Sequence, residues 1–99
     1  MTGIDEDSQE THENERDDQH ETSLLVLRAL QGESLAFGEI VERYHRLMLH
    51  IAVQMVGERE SAKDVVQEAL FLAWKHLGDL HDVGTLRPWL LRIVVNQCR

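Results

Sequence analysis

Asp64 and Gln67 stand three residues apart in a stretch of helical period, which makes them neighbours on one helix face. The apolar residues Val65, Val66, Ala69 and Leu70 fall mostly on another face, so the carboxylate and the amide point to water or to a partner. Glu68 follows directly and extends the same polar surface. A purely structural alternative exists for Asp64, in which it completes a helix cap and interacts with the positive end of the helix dipole. Further along, Arg92 and Asn96 are four apart and Arg99 comes three later, a short ridge of hydrogen-bond donors. Such a ridge suits phosphate oxygens and the edges of unstacked bases, with an ordinary solvated face as the alternative.

Other chemistries find little support. His45 and His50 are five apart, about 140° around a helix, and do not converge on one ion. His76, His81 and Cys98 could meet only through the fold, no C-x-x-C or H-x-x-x-H spacing occurs, and His12 and His20 fall in an acidic leader. Cys98 has Arg99 beside it but no base, which is weak ground for a nucleophile. There is no glycine-rich phosphate loop and no Ser, His and Asp arrangement. The expectation is a protein without metal, cofactor or catalytic centre.

The 99 residues allow one small domain, and the charge is unevenly spread along them. Residues 1–23 hold nine carboxylates against Arg16 alone, whereas residues 24–99 hold nine charges of each sign. The net charge of −8 therefore belongs to the leader, and a local basic face on the rest is compatible with nucleic-acid binding. The first 22 residues contain one aliphatic, Ile4, and no aromatic, too little to offset the entropy of ordering, so residues 1–22 read as a disordered acidic tail. A single cysteine, no signal peptide and no apolar run of about 20 residues point to the cytoplasm without membrane insertion.

Four helices must position the polar groups, in a domain spanning 23–99. Ser23 is the expected cap of a first helix carrying Leu24, Leu25, Leu27 and Leu30 and closed by Gly32. The second starts at Ser34, repeats Phe37, Ile40, Val41, Tyr44, Leu47, Met48, Ile51, Ala52 and Met55, and ends at Gly57. Ser61, three before Asp64, opens the third, which carries Val65, Val66, Ala69, Leu70, Ala73, Trp74 and Leu77 and stops at Gly78. A polar connection over 79–84 leads to a fourth helix capped by Thr85, with Pro88 in its first turn and Trp89, Leu90, Ile93 and Val94 on its apolar side. Trp74 and Trp89 read as core side chains joining the third and fourth helices. No period-two stretch is long enough for a strand, so the fold class is all-α, a small bundle of about four helices. The last helix is still in phase at Arg99 and looks cut rather than finished.

Ala62, Asp64, Gln67, Glu68, Leu70 and Trp74, followed by Trp89, Leu90, Ile93, Val94 and Asn96, resemble region 2 of the sigma-70 superfamily in its extracytoplasmic-function (ECF) branch. Its pattern runs approximately A-x-D-x-x-Q-E-x-F/L-x-x-x-W and then W-L-x-x-I-A/V-x-N. The resemblance covers about residues 24–97 and adds a sigma region 2-like character to the helical bundle. It implies that Asp64, Gln67 and Glu68 dock on the clamp helices of the largest subunit of core RNA polymerase. It also implies that Arg92 and Asn96, with Arg87 and Arg99, face the promoter −10 element as it melts, while the polymerase holds the chemistry. An anti-sigma factor is a further implied partner. Members of the branch continue into a base-capturing loop and a helix-turn-helix domain, neither of which is in this sequence.

Two other functions stay open: a sigma-like decoy that occupies an anti-sigma factor without touching DNA, and a plain helical interaction module. The leader is either a solvated tail or an electrostatic brake that competes with DNA phosphates for the ridge on the fourth helix. A chain of roughly twenty flexible residues spans about 25 Å and can reach it.

Overall fold

The computed structural model describes residues 20–99, and the tail expected over 1–22 lies outside them except for its last three residues. Those three are already helical: the described part of α1 covers residues 20–30. It is followed by α2 (Ser34–Val56), α3 (Arg59–His76) and α4 (Leu86–Cys98), with two 3-10 turns, Leu77–Asp79 and Val83–Thr85, between α3 and α4. No strand occurs among the described residues, and the expected all-α bundle is the fold.

The start and face of α1 differ from the sequence reading. Ser23 is inside the helix rather than at its cap, and Thr22 is buried. Thr22, Leu25, Val26 and Ala29, spaced i, i+3, i+4 and i+7, are the side turned to the core, while Leu24, Leu27 and Leu30 are exposed. The helix closes at Gly32, with φ +95°, through paired bonds from the Glu33 amide to the Arg28 carbonyl at 3.2 Å and from the Gly32 amide to the Ala29 carbonyl at 2.9 Å. This is a Schellman ending, and the left-handed backbone it needs is open to glycine without penalty.

In α2 the expected stripe holds in its middle: Ile40, Met48 and Ala52 are buried, and Phe37, Val41, Tyr44, Leu47 and Ile51 are half-buried. Met55 is 47 % exposed, because the stripe outlasts the surface it packs on. Gly57 ends the helix at φ +86°, its amide donating to the Val53 carbonyl at 2.8 Å.

The third helix starts earlier than expected, at Arg59 with Glu58 as its cap residue. Ser61 sits in the first turn and donates to the Glu58 carboxylate at 3.0 Å, so it supports the start from inside the helix. Asp64 is consequently in the second turn, beyond the orphan amides, and the capping alternative for it falls. Ala62, Val66, Ala69 and Ala73 form the buried stripe, and three alanines in it let α2 and α4 approach closely. Trp74 is 40 % exposed and meets Phe37 of α2, with ring centroids 4.9 Å apart, instead of joining α3 to α4.

The stop expected at Gly78 is a tightening rather than a left-handed cap: the chain turns 3-10 over Leu77–Asp79, and Leu77 is buried. The connection to α4 is less polar than expected, since Leu80 and Val83 pack on the core. Asp82 shapes its end, accepting from the Gly84 amide at 2.9 Å through its side chain and from the Thr85 hydroxyl at 2.6 Å through its carbonyl. Thr85 stands at the cap position of α4, and Pro88 falls in the first turn, where its missing N–H costs no hydrogen bond. Leu86, Leu90 and Val94 line the buried side of α4. Leu90 joins a cluster with α1, α2 and the end of α3, and Val94 joins a second with α2 and the start of α3, so α4 bridges both halves of the core. Trp89 packs on the first cluster, as expected of a core aromatic.

Candidate docking and nucleic-acid surfaces

The outer side of α3 is set by its inner side. At about 100° per residue, Asp64 and Phe71 lie about 180° from the centre of the stripe formed by Ala62, Val66, Ala69 and Ala73. Gln67 and Glu68 flank that outward line, and Asp64, Gln67 and Glu68 are all exposed. None of the three makes a side-chain hydrogen bond or ion pair among the described residues. Their hydrogen-bonding capacity is therefore directed to solvent or to a partner.

Phe71 was not singled out in the sequence, yet it is 59 % exposed in the middle of this surface. It is one turn beyond Gln67 and Glu68, and Trp74 is exposed three residues further on. An aromatic that the fold leaves outside, ringed by unpaired polar groups, has the composition of a protein-docking hot spot. The signal was present in the sequence as phase: seven residues after Asp64, Phe71 shares its face rather than that of Val66 and Ala69.

On α4, Arg92 and Asn96 are exposed and lie about 40° apart on the side away from Leu90 and Val94, with Arg99 exposed at the cap position just past the helix. Arg87, also exposed, is about 140° from Arg92 around the helix axis and does not belong to that ridge. The three arginines form no ion pair among the described residues, which leaves their charge available to an anion. Cys98 is a free, half-buried thiol against the second core cluster.

Among the described residues, no group of three or more His, Cys, Asp or Glu side chains is arranged to hold a metal. No described helix is long and apolar enough to cross a membrane.

The family model for sigma-70 region 2 matches residues 40–99, which contain both polar surfaces. The RNA polymerase sigma factor NccH of Alcaligenes xylosoxydans xylosoxydans is 36 % identical over 75 residues, 76 % of this chain and 40 % of the relative. The RNA polymerase sigma-H factor of Pseudomonas aeruginosa is 32 % identical over 81 residues, 82 % of this chain and 42 % of the relative. The ECF RNA polymerase sigma factor SigM of Mycobacterium tuberculosis is 33 % identical over 81 residues, 80 % of this chain and 41 % of the relative. The chain thus spans about two-fifths of the length of these relatives, and no solved structure matches it. Sigma factors are transcription regulators rather than a known class of enzyme. The chain belongs to the sigma-70 region 2 family, in its extracytoplasmic-function branch.

Proposed function

We propose that this domain binds core RNA polymerase through the outer face of α3 and helps to recognise and melt the promoter −10 element through the ridge on α4. The observation that carries the docking half is Phe71, held outward between unpaired Asp64, Gln67, Glu68 and the exposed Trp74. Fully burying one such aromatic is worth roughly 1.5–3 kcal/mol, and at 59 % exposure the larger part of that is left for a partner. The clamp helices of the largest polymerase subunit are the surface it fits in this reading, consistent with relatives named RNA polymerase sigma factors.

The DNA half rests on unpaired Arg92 and Arg99 with Asn96 between them, a combination of phosphate and base-edge donors. Arg87 is assigned to phosphate outside the ridge. Isolated from polymerase, so few cations release few counterions and give weak DNA binding. The domain works in the cytoplasm, where polymerase and promoter are, without a cofactor and without catalysis of its own.

A second protein surface is favoured by one observation: Leu24 and Leu27, neighbours on α1, are each 49 % exposed. An anti-sigma factor covering that face is the reading that keeps a decoy role open. A pull-down with core polymerase, comparing the unaltered chain with Asp64→Ala/Gln67→Ala and with Leu24→Ser/Leu27→Ser, separates the two. Loss only in the α3 variant supports polymerase docking there, and retention in it rejects that assignment.

A further inference from the structure

Beside the turn between α2 and α3, His45, Arg46, Leu49, His50, Val53 and Arg59 line an open groove of about 470 Å³. Every titratable side chain in its wall is basic. Arg46 and Arg59 form no ion pair among the described residues. Two carboxylates beside Arg59 in sequence are engaged elsewhere, Glu58 by the Ser61 hydroxyl and Glu60 by Lys63. Leu49 and Val53 are half-buried and give the groove an apolar floor. A cationic rim over an apolar floor fits an extended or helical acidic peptide better than a small anion.

One ion pair indicates where such a peptide comes from. Glu21 on α1 meets Arg43 on α2 at 2.6 Å. Residues 31–33 alone join the two helices, so they fold back on each other with residue 21 level with residue 43. The N-terminal end of the described part of α1, at residue 20, therefore lies beside α2 on the side of its C-terminal half, where the groove begins. His50 is seven residues past Arg43, about 10 Å along the helix. Residues 5–18 carry eight carboxylates against one arginine.

We propose that this groove is the binding site for the acidic segment, residues 5–18, of the same chain. From the sequence alone that segment reads either as a solvated tail or as a brake on the donor ridge of α4. The Glu21–Arg43 pair instead sets the described end of α1 against α2, with Arg46 of the groove one turn beyond Arg43. Contacts of this kind are exposed and therefore screened by salt, with a Debye length of about 10 Å at 0.1 M. The site does not depend on the polymerase reading.

The test uses the whole chain in the Cys98→Ser background with a nitroxide attached through Asn14→Cys, followed by amide resonance intensities. At about 50 mM salt the resonances of residues 45–59 are expected to broaden, and the broadening is expected to be lost at about 0.5 M salt and in Arg46→Glu/Arg59→Glu. No broadening there, broadening centred on Arg92 and Asn96, or persistence in the charge-reversed variant would overturn the proposal. A label-free arm guards against an ill-folded cysteine variant. Glu15→Gln, Asp17→Asn and Asp18→Asn in the otherwise unaltered chain are expected to shift the same amide resonances, and unmoved resonances at 45–59 would equally overturn it.

Discussion

Phe37 of α2 and Trp74 of α3 meet with ring centroids 4.9 Å apart and ring planes inclined at 58°. A tilted pair at this separation is within the range of favourable aromatic contacts, worth about 0.5–1.5 kcal/mol beyond the area it covers. Trp74 is 40 % exposed, so Trp74→Ala is expected to cost less than the roughly 3–5 kcal/mol of a fully buried aromatic. A double-mutant cycle with Phe37→Ala, read by urea unfolding, is expected to return a coupling of about 1 kcal/mol. Strict additivity would mean that the rings are adjacent without interacting.

The two glycines of α2 and its cap are expected to respond oppositely to alanine. Gly57 holds φ +86°, where a Cβ costs roughly 1–2 kcal/mol, although nothing lies within 4 Å of the added carbon. Gly38 lies in the helix interior with equally open space and no positive φ. Gly57→Ala is therefore expected to lower the thermal midpoint by several degrees and Gly38→Ala to raise it, the latter by about 0.5–1 kcal/mol of stability. Thermal melts of the two variants check the pair, and a shift of the same sign in both would contradict the assignment of backbone conformation.

What the sequence disclosed depended on how many residues voted for a face. In α2, nine apolar residues over five turns define a stripe that no local accident can rotate, and Ile40, Met48 and Ala52 are where the period puts them. In α1, leucines stand on every side, and the small residues Val26 and Ala29, with Thr22, decide which side is inward through tertiary packing. Ser23 and Ser61 both looked like caps because the motif is only four residues long. Chain upstream of each was able to continue the helix, which displaced both starts. The polar residues of the candidate surfaces were legible as types at spacings. Phe71 escaped because an aromatic beside Leu70 and Leu72 reads as core unless its phase against Asp64 is followed.

Under the proposed function, the ridge on α4 and the separately placed Arg87 are expected to affect promoter DNA differently. In a polymerase carrying a sigma factor with this domain, Arg92→Ala/Asn96→Ala is expected to leave promoter binding largely intact and to reduce permanganate reactivity of the −10 thymines. Arg87→Ala, about 140° away, is expected to weaken binding uniformly and to reduce the salt slope by about one, the signature of a lost phosphate contact. Normal opening in the double variant would remove the ridge from promoter melting.

The most direct measurement is the affinity of fluorescently labelled domain for core RNA polymerase with Phe71→Ser, alongside Asp64→Ala/Gln67→Ala and the remote control Met55→Ser. Met55 matches Phe71 as an exposed apolar residue, so the control reports generic loss of surface hydrophobicity. Each α3 variant is expected to retain the helical far-UV signal and to bind about 5- to 100-fold more weakly, corresponding to roughly 1–3 kcal/mol. Met55→Ser is expected to bind as the unaltered chain does. Equal affinity in all four proteins would contradict docking through the outer face of α3.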